Sequence, residues 1–337
     1  MKKWILGIGL LALVGLAVAG YGFMQIKKPV VTKDAVILLP TGAGLATVKE
    51  ELKAMDALSD YQYFDLLAGL MNIKKKLRGG KYEIKKGWNK LEVLRIFRSG
   101  LSQPVRVTFH NVRTLAAVAG KVAPYIEADS VELLQAMNDP LVWKEAGAEG
   151  SVFCHIIPNT YEFFWATSGE EFVHRMVKEA KLYWSEERMQ KAAKMNLNPC
   201  EIVSLAAIVQ EEQSAIPSEQ PMIAGLYYNR IKIRMPLQAD PTLKYAAGDF
   251  SLKRIYNHHK DIESPYNTYK YAGLPPSPIV IPEPGAIDAV LDHVTHNHLY
   301  MCAKEDFSGY HYFTSNLREH NNYAIRYRNA LSRAKIR

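Results

Sequence analysis

Two adjacent glutamates, Glu211 and Glu212, end a predicted helix in a setting that suits a proton donor. The helix has a clear start: Asn198 can cap it, Pro199 takes the first helical position, and Glu201 can complete a capping box. A carboxyl that extends an apolar helix face is poorly solvated, so its charged form is disfavoured. Such a group stays protonated near neutral pH and can act as a general acid.

The helical period indicates which glutamate has that setting. At about 100° per residue, Glu212 falls in line with the apolar residues Leu205, Ile208 and Val209, whereas Glu211 points roughly a quarter-turn away. We therefore expect Glu212 to be the acid. The alternative is an exposed helix end on which both glutamates are surface groups, and composition alone favours it because most carboxylates are exposed.

The composition is that of a globular protein, with 337 residues, 48% hydrophobic and 23% charged, enough for two or three domains. The three cysteines, Cys154, Cys200 and Cys302, are far apart and form no C-x-x-C pair. Neither a zinc site nor a disulfide framework is therefore predicted. Cys200 lies in the apolar helix and is expected to be a small buried residue.

The net charge of +8 is concentrated in the N-terminal third, where residues 27–100 alone carry +7. A nucleic-acid-binding protein would place basic charge around the Glu212 helix, so no nucleic acid is expected as a partner. A basic segment near the N-terminus suits an anionic lipid surface or an anionic polymer. For Lys74–Lys76 the alternative is a solvated charged face.

Residues 4–26 carry no charge and are long enough to cross a bilayer as a helix. Signal-peptide apolar regions are shorter, about 7–15 residues, so an uncleaved anchor is predicted, although the AVA at 17–19 leaves cleavage open. Lys2 and Lys3 favour a cytoplasmic N-terminus, and the lysines at 27 and 28 weaken that preference. We expect residues 1–28 to form the cytoplasmic tip and anchor, with the rest outside the cytoplasmic membrane.

The remaining chain is predicted to be α+β, with a small module at 29–103 and a larger domain at 104–337. In the module, Ala35–Leu39 and Lys81–Ile84 are predicted strands. One predicted helix starts at Ser59 or Asp60, and another ends at Gly100. This arrangement resembles the LysM-like module that precedes the catalytic domain in one family of cell-wall enzymes.

Two long segments of the larger domain have distinct patterns. Ser168 with Glu171 forms a capping box that predicts one long helix to about Met195. Residues 234–283 are rich in Pro, Asn and Tyr and are predicted to form long loops. Their aromatic content indicates that the loops are ordered.

Eight short motifs follow one another along the chain. They are IIPNTYEF (156–163), AAIVQEEQ (206–213), GLYYNR (225–230), MPLQADPT (235–242), SPYNTY (264–269), GLPPSPI (273–279), LYMCA (299–303) and GYHYFTSNLREHN (309–321). In this order they resemble the membrane-anchored endolytic murein transglycosylase family, over essentially the whole chain. The resemblance implies an enzyme that cuts peptidoglycan glycan strands between MurNAc and GlcNAc without water, leaving 1,6-anhydro-MurNAc ends.

The family motif has two glutamates two residues apart, of which the second is catalytic, and here those positions are Gln210 and Glu212. The resemblance therefore assigns catalysis to Glu212 and leaves Glu211 as a bystander. After the strand near 105–109 the family usually has an acidic residue and Gly, whereas this chain has His110-Asn111-Val112-Arg113. Nothing in the sequence explains that departure, and it puts any substrate contact there in doubt.

The motifs supply candidate substrate-binding residues. These are Tyr161, Asn229, Gln238, Asp240, Tyr266, Asn267 and His311. The uncharged ones suit hydrogen bonds and stacking to sugars, although half-buried packing is an equal alternative for the tyrosines. Asp240 precedes a proline and is equally well a turn residue. His320 either lines the cleft or lies on a helix surface.

No metal or cofactor is expected, because the histidines at 293, 296 and 298 come with no H-E-x-x-H and no nucleotide-binding motif is present. Two rivals to the transglycosylase hypothesis remain. One is a non-catalytic glycan-binding scaffold, in which Glu212 is structural. The other is a hydrolytic muramidase that uses Glu212 and Asp240 as its carboxylate pair. The expected partners are peptidoglycan glycan strands, the cytoplasmic membrane and cell-wall synthases.

Overall fold

Helices predominate in the described part of the chain, and its strands form small two-stranded sheets. The computed structural model describes residues 13, 15–16, 20–252 and 255–334. The fold is mixed α+β, as the sequence predicts. The chain divides into a first unit (Met1–Val107, Ala123–Asp129 and Tyr161–Ser168) and a second unit (Thr108–Val122, Ser130–Thr160 and Gly169–Arg337).

The first unit contains the predicted small α/β module. Its elements are β1 (Ala35–Leu39), α1 (Leu45–Ala54), α2 (Phe64–Leu70), β2 (Gly80–Ile84) and α3 (Lys90–Ser99). The strands pair antiparallel, with Ala35 opposite Ile84. Helix α2 begins later than predicted because Tyr63 has φ 62°, and this left-handed conformation cannot belong to a right-handed helix.

The core of this unit contains alternate residues of strand β1 and one buried lysine. Ile37 and Leu39 are fully buried, while the intervening Leu38 is exposed, which is the period of two expected for a half-buried strand. Lys90 is fully buried as well, and its ammonium lies 2.5 Å from an Asp60 carboxylate oxygen. A buried cation requires such a partner, since desolvating an unpaired charge is costly.

The rest of the described chain contains two further two-stranded sheets and most of the helices. The elements are β3 (Pro104–Phe109), α4 (Leu115–Val122), α5 (Ser130–Asn138), α6 (Pro140–Glu145), β4 (Asn159–Phe164), α7 (Gly169–Tyr183), α8 (Glu186–Lys194), α9 (Pro199–Glu212), α10 (Gln220–Lys232), α11 (Asp240–Ala247), α12 (Asn257–Lys260), α13 (Pro284–Leu291), β5 (Tyr300–Ala303), β6 (His311–Thr314) and α14 (Leu317–Arg333). Strand β3 pairs with β4, and β5 pairs antiparallel with β6. Helix α9 is central to the second unit and packs against α10, α11 and α13.

Two predictions about these elements were wrong. The single helix from Ser168 to Met195 is two helices, α7 and α8, because Ser185 leaves the helical conformation and its side chain accepts a hydrogen bond from Arg188 N–H as a new N-cap. Residues 234–283 are not all loop, since α11 and α12 lie within them. Both are short helices, and neither has the long apolar repeat that reveals a helix in sequence.

No disulfide is predicted from the sequence, but Cys154 and Cys200 form one, with their Cα atoms 5.1 Å apart. Cys200 lies in the first turn of α9 and is only half-buried, so it is not the buried apolar residue expected. A short helical turn at Val152–Cys154 brings the partner thiol to it. Sequence spacing alone could not show this pairing, since the two cysteines are 46 residues apart.

The predicted anchor, residues 4–26, falls largely outside the described residues. Within the described part, no helix combines the length and the apolar character needed to cross a membrane.

Candidate active site

Helix α9 brings its last residue, Glu212, to the wall of a pocket. The predicted capping box is present: the Asn198 side chain accepts from Glu201 N–H, and the Glu201 carboxylate accepts from Asn198 N–H. All residues from Ile202 to Val209 are buried, so the helix is held on every side through two turns. The core therefore fixes the position of the helix, and with it the backbone that carries the Glu212 side chain.

The pocket that contains Glu212 has a volume of about 340 Å³. It is lined by Glu212, Leu226, Tyr227, Arg230, Leu237, Gln238, Asp240, Tyr269, Tyr300, Met301, Leu317, His320 and Asn321. Titratable groups, amides and aromatic rings thus converge on one concave site, which is the usual composition of a ligand pocket.

Within the pocket, Tyr227 donates its hydroxyl hydrogen bond to Glu212 Oε1 at 2.8 Å. The pKa of Glu212 is raised to about 7, chiefly by burial. The negative charge of Asp240 adds to the rise, and the Tyr227 hydrogen bond, Lys244 and Arg230 oppose it. A carboxyl with a pKa of about 7 is populated in both protonation states at neutral pH. It can therefore give up a proton and take one back within one reaction cycle.

Asp240 is the second carboxylate of the pocket. It begins α11, and its Oδ1 accepts a hydrogen bond of 2.6 Å from the Tyr269 hydroxyl. Burial first and the Asp240 bond second raise the pKa of the Tyr269 hydroxyl, so the phenol stays a donor. Asp240 is thus an acceptor held in place by Tyr269, whereas Glu212 is the group with a pKa suited to proton exchange.

Glu211 has a different environment from Glu212. Its Oε2 forms an ion pair with Arg113 Nη2 at 2.9 Å. Glu211 is absent from the residues that line the pocket. The quarter-turn offset predicted from the helical period is therefore accompanied by different contacts: Glu211 pairs with Arg113, and Glu212 lines the pocket.

The same contacts give a physical role to the sequence His110-Asn111-Val112-Arg113. His110 Nδ1 lies 2.9 Å from Glu283 Oε2, and Asn111 N–H donates to Glu283 Oε1 at 2.6 Å. The Glu283 backbone N–H in turn donates to Gln210 Oε1 at 2.7 Å. Together with the Arg113–Glu211 pair, these bonds attach the segment to the last turn of α9. Its residues hold the helix that carries Glu212.

Two predicted substrate-binding residues, Gln238 and Asp240, line the pocket. The Gln238 backbone has φ 53°, an uncommon left-handed conformation, and its N–H donates to Thr268 O at 3.0 Å. This bond ties the two motif loops together at the pocket edge. Both side chains belong to exposed residues and are open to a ligand.

Two other predicted residues are engaged in holding loops. The Asn229 side-chain amide donates to His296 O at 2.7 Å. Asn267 is fully buried, and its amide donates to Ile262 O at 2.9 Å. Both amides stabilise the backbone that forms the site, and neither residue is part of the pocket lining described above.

The predicted tyrosines make packing contacts. The Tyr266 hydroxyl lies 2.6 Å from Ser277 Oγ, and its ring centroid lies 4.6 Å from that of Tyr245. Tyr161 belongs to the first unit, where it is buried with its ring 6.3 Å from Phe163 in an edge-to-face arrangement. Both tyrosines are thus used in packing, and a role in substrate binding stays a prediction for each.

His311 belongs to a buried network next to the end of α9. The Glu219 carboxylate accepts from His311 N–H at 2.8 Å, lies 2.7 Å from His311 Nδ1, and accepts from Gln213 Nε2 at 2.8 Å. Gln213 Nε2 also donates to Gly309 O at 2.9 Å. Gln213 directly follows Glu212, so this network fixes the position of the C-terminal end of α9.

Sequence reasoning missed several lining residues, notably Tyr227, Arg230, Tyr269 and Tyr300. Tyr227 and Arg230 are three residues apart on α10 and therefore share a face. Both belong to the GLYYNR motif, and their spacing of three residues on a predicted helix was an available signal. His320, for which the sequence left two positions open, lines the pocket.

Comparisons with known proteins agree with the motif order. The sequence profile of the YceG-like family matches residues 37–326. A Bacillus subtilis (strain 168) protein named endolytic murein transglycosylase is 27% identical over 305 residues, which cover 85% of this chain and 82% of that protein. A Streptococcus pneumoniae (strain R6) protein of the same name is 24% identical, and the alignment covers 93% of this chain but 63% of that longer protein.

The fold has a counterpart among solved structures. A crystal structure of a YceG-like protein from Listeria monocytogenes superposes with a TM-score of 0.55 at 24% identity, covering 86% of this chain and 98% of that one. The shared architecture extends over most of both chains.

Proposed function

The chain belongs to the YceG-like family, and we propose that it is an endolytic lytic transglycosylase that cleaves the glycan strands of peptidoglycan. The observation that carries the proposal is Glu212, a carboxyl in a pocket with a pKa raised to about 7 by burial and hydrogen-bonded to Tyr227 at 2.8 Å. The names of the relatives, endolytic murein transglycosylase, support the same substrate.

In the proposed reaction one carboxyl does both proton transfers. Glu212 protonates the glycosidic oxygen between MurNAc and GlcNAc, the bond from the anomeric carbon to that oxygen breaks, and GlcNAc leaves with a free hydroxyl. The C6 hydroxyl of MurNAc then attacks its own anomeric carbon, and the Glu212 carboxylate takes the hydroxyl proton. The products are a GlcNAc end and a 1,6-anhydro-MurNAc end. No water is consumed, and Glu212 returns to its protonated form.

Asp240 supports a second candidate function, because it places another carboxylate in the pocket of Glu212. A hydrolytic muramidase would use Asp240 to activate water or to form a covalent intermediate. Asp240 Oδ1 already accepts a hydrogen bond from the Tyr269 hydroxyl at 2.6 Å, so this oxygen is not free to accept a proton from water, which favours the transglycosylase.

The deciding experiment digests purified glycan strands and identifies the new ends by mass spectrometry. Anhydro ends support the transglycosylase, reducing ends support the muramidase, and uncut strands support a glycan-binding scaffold. Glu212→Gln keeps the size and hydrogen-bonding reach of the side chain but cannot deliver a proton, so cleavage should fall by at least about 10²–10⁴-fold. Glu211→Gln is the matched control, with cutting near the wild-type rate. A dead Glu211→Gln variant beside an active Glu212→Gln variant would overturn the assignment.

We also propose that the protein is anchored by residues 4–26, with residues 29–103 as a LysM-like module and residues 104–337 as the catalytic domain on the outer side of the cytoplasmic membrane. The Cys154–Cys200 disulfide supports this location, since disulfides persist in oxidising compartments. The basic charge of residues 27–100 suits attachment to the membrane surface or to the wall polymer. Cell-wall synthases are proposed partners on the same side. A reporter fused after Lys28 should be active only outside the cytoplasm.

A further inference from the structure

Arg230 is a buried cation in the pocket of Glu212. The residue is 7% exposed, its Nε donates to Leu299 O at 2.7 Å, and its Nη1 donates to Leu237 O at 2.6 Å. These acceptors are neutral backbone carbonyls. Among the described residues no carboxylate forms an ion pair with Arg230, and Nη2 has no protein acceptor. The guanidinium is therefore rigidly held, and its charge is not neutralised by an ion-pair partner.

His320 adds an unpartnered polar atom to the same pocket. Its Nδ1 is buried and has no hydrogen-bond partner within the described residues, although buried polar atoms are normally paired. Burial first and the charge of Arg230 second lower the pKa of His320, so the imidazole is neutral and can offer one N–H. An acceptor from a ligand would satisfy this atom.

Both groups lie against the ring of Tyr300, which also lines the pocket. The Arg230 guanidinium lies 5.5 Å from the centre of the Tyr300 ring. The His320 ring is tilted relative to the Tyr300 ring, and the two ring centroids are 5.5 Å apart. Asn321, which also lines the pocket, offers a further amide there. The charged acceptor of the pocket, Asp240, is held by the Tyr269 hydroxyl. An anionic ligand group would be attracted to Arg230 and repelled by Asp240, which gives it one orientation.

We propose that Arg230 and His320 form a carboxylate-binding subsite that selects glycan strands bearing a free carboxylate near the cleaved bond. A guanidinium offers a fork of N–H donors that matches a carboxylate, and charge-assisted bonds are about twice as strong as neutral ones. This inference rests on the proposed function, which makes the ligand a peptidoglycan strand. The carboxylate has two possible sources: the lactyl group of a MurNAc without its peptide, or the stem peptide itself.

The test measures binding separately from cleavage. The Glu212→Gln protein is titrated by calorimetry with three sets of strands: denuded strands with free lactyl carboxylates, the same strands amidated with carbodiimide and ammonia, and strands with intact stem peptides. If the lactyl carboxylate is the ligand, amidation weakens the binding of denuded strands at least tenfold, and the unamidated denuded strands bind most tightly. If the stem carboxylate is the ligand, the peptide-bearing strands bind at least tenfold more tightly than the amidated denuded strands. Equal affinity for all three sets overturns the subsite.

Variants in the same Glu212→Gln background test the residues. His320→Phe keeps the ring contact with Tyr300 and should lower the affinity for carboxylate strands several-fold, with no effect on amidated strands. Arg230→Gln should lower the affinity for carboxylate strands by a larger factor, provided that the thermal melt of the variant stays cooperative. Lys232→Gln is the control, because it removes an equal charge from the same helix outside the pocket, and it should not change the preference.

Failure of the subsite and failure of the proposed function give different results. Wild-type protein that leaves anhydro ends but binds amidated strands as tightly as carboxylate strands refutes only the subsite. A carboxylate preference in a protein that never cleaves strands refutes the transglycosylase and leaves a carboxylate-selective glycan-binding protein. If His320→Phe and Arg230→Gln both retain the full preference, the carboxylate is recognised elsewhere and the assignment of these residues is wrong.

Discussion

The Tyr227 hydroxyl donates to Glu212 Oε1 at 2.8 Å, so one carboxyl oxygen is occupied as an acceptor while the other is left to carry the acidic proton. A donor to Oε1 also favours the ionised form, and it opposes the burial that raises the pKa of Glu212 to about 7. Tyr227 is 2% exposed, and its own pKa is raised by burial first and by the Glu212 charge second, so it remains a donor. The pair therefore sets both the orientation and the strength of the acid.

Tyr227→Phe should move the pH dependence of kcat/KM to higher pH. The cleavage step needs protonated Glu212, so wild-type kcat/KM falls as pH rises through about 7. Removing the hydroxyl removes an interaction that lowers the Glu212 pKa, so the fall should occur at higher pH. The control is Tyr228→Phe, whose hydroxyl donates to Met195 O at 3.2 Å outside the pocket. An unshifted profile in Tyr227→Phe would contradict the role of this bond.

Asp240→Asn should shift the same profile in the opposite direction. The negative charge of Asp240 raises the Glu212 pKa, and the neutral amide removes that effect while its oxygen still accepts from Tyr269. The fall in kcat/KM is therefore expected at lower pH, with anhydro ends still produced. Loss of all cleavage together with an unchanged fold, measured by thermal melting, would favour the muramidase in which Asp240 is the second catalytic carboxylate.

Glu212→Gln should stabilise the protein in a pH-dependent way. The folded-state pKa of about 7 exceeds the ordinary value of 4.5, so the folded state binds the proton more tightly than the unfolded state. Stability from this group is complete below pH 4.5 and is lost as pH rises to 7. Gln resembles the protonated form, so the variant should match wild type at pH 4 and exceed it by about 2–3 kcal/mol at pH 8.

Urea unfolding at the two pH values measures this difference. Glu211→Gln is the matched control, since its carboxylate forms an ion pair of 2.9 Å with Arg113. Loss of that half-exposed pair should destabilise the protein by up to about 1 kcal/mol, the opposite sign. An effect of Glu212→Gln that does not vary with pH would mean that the carboxyl is not held in its neutral form by the fold.

Thiol titration and unfolding test the disulfide. Denatured but unreduced protein should show one free thiol, that of Cys302, because Cys154 and Cys200 are bonded. The bond closes a loop with a sequence separation of 46, and Cys154→Ser with Cys200→Ser should cost about 2–4 kcal/mol of stability. Cys302→Ser is the control. Reduction of the disulfide should lower the free energy of unfolding of this variant by the same amount as in the wild type. Three free thiols in unreduced protein would contradict the bond.

Local sequence signals predicted the helix that carries the candidate acid. The rest of the site depends on tertiary contacts. The capping box at Asn198 and Glu201 fixed the start of α9, and the helical period distinguished Glu212 from Glu211. Tyr227 was not predicted, because its role depends on the packing of α10 against α9. The hydrophobic periodicity of a sequence does not show which helices pack together. The catalytic role of Glu212 itself stays a prediction until the paired variants are measured.

The errors of the sequence analysis have related physical causes. The Cys154–Cys200 bond and the engagement of Asn267 in its own loop depend on how distant or irregular segments meet. The helix break at Ser185 was missed because the capping box predicted from Ser168 with Glu171 indicates where a helix begins but not where it ends. Regular elements with strong caps are encoded within a few residues, whereas loop geometry is set by contacts far apart in sequence.

Glu219 is a positioning residue for Glu212. Its buried carboxylate accepts from Gln213 Nε2 at 2.8 Å and from His311 N–H at 2.8 Å, and it thereby joins the residue after Glu212 to the start of β6. Glu219→Ala leaves buried donors unpaired, which costs about 1–3 kcal/mol for each such group. We expect kcat to fall at least tenfold with KM little changed, because the acid is displaced while the pocket remains.

A double-mutant cycle separates positioning from a general loss of stability. If Glu219 acts through Gln213, then Glu219→Ala and Gln213→Ala together should lower kcat by much less than the product of their separate effects. Glu263→Gln is the control, as its exposed carboxylate lies 3.0 Å from the Tyr271 hydroxyl in a loop outside the pocket. Multiplicative effects of the two variants on kcat, at a temperature where both are fully folded, would show that Glu219 does not act through the end of α9.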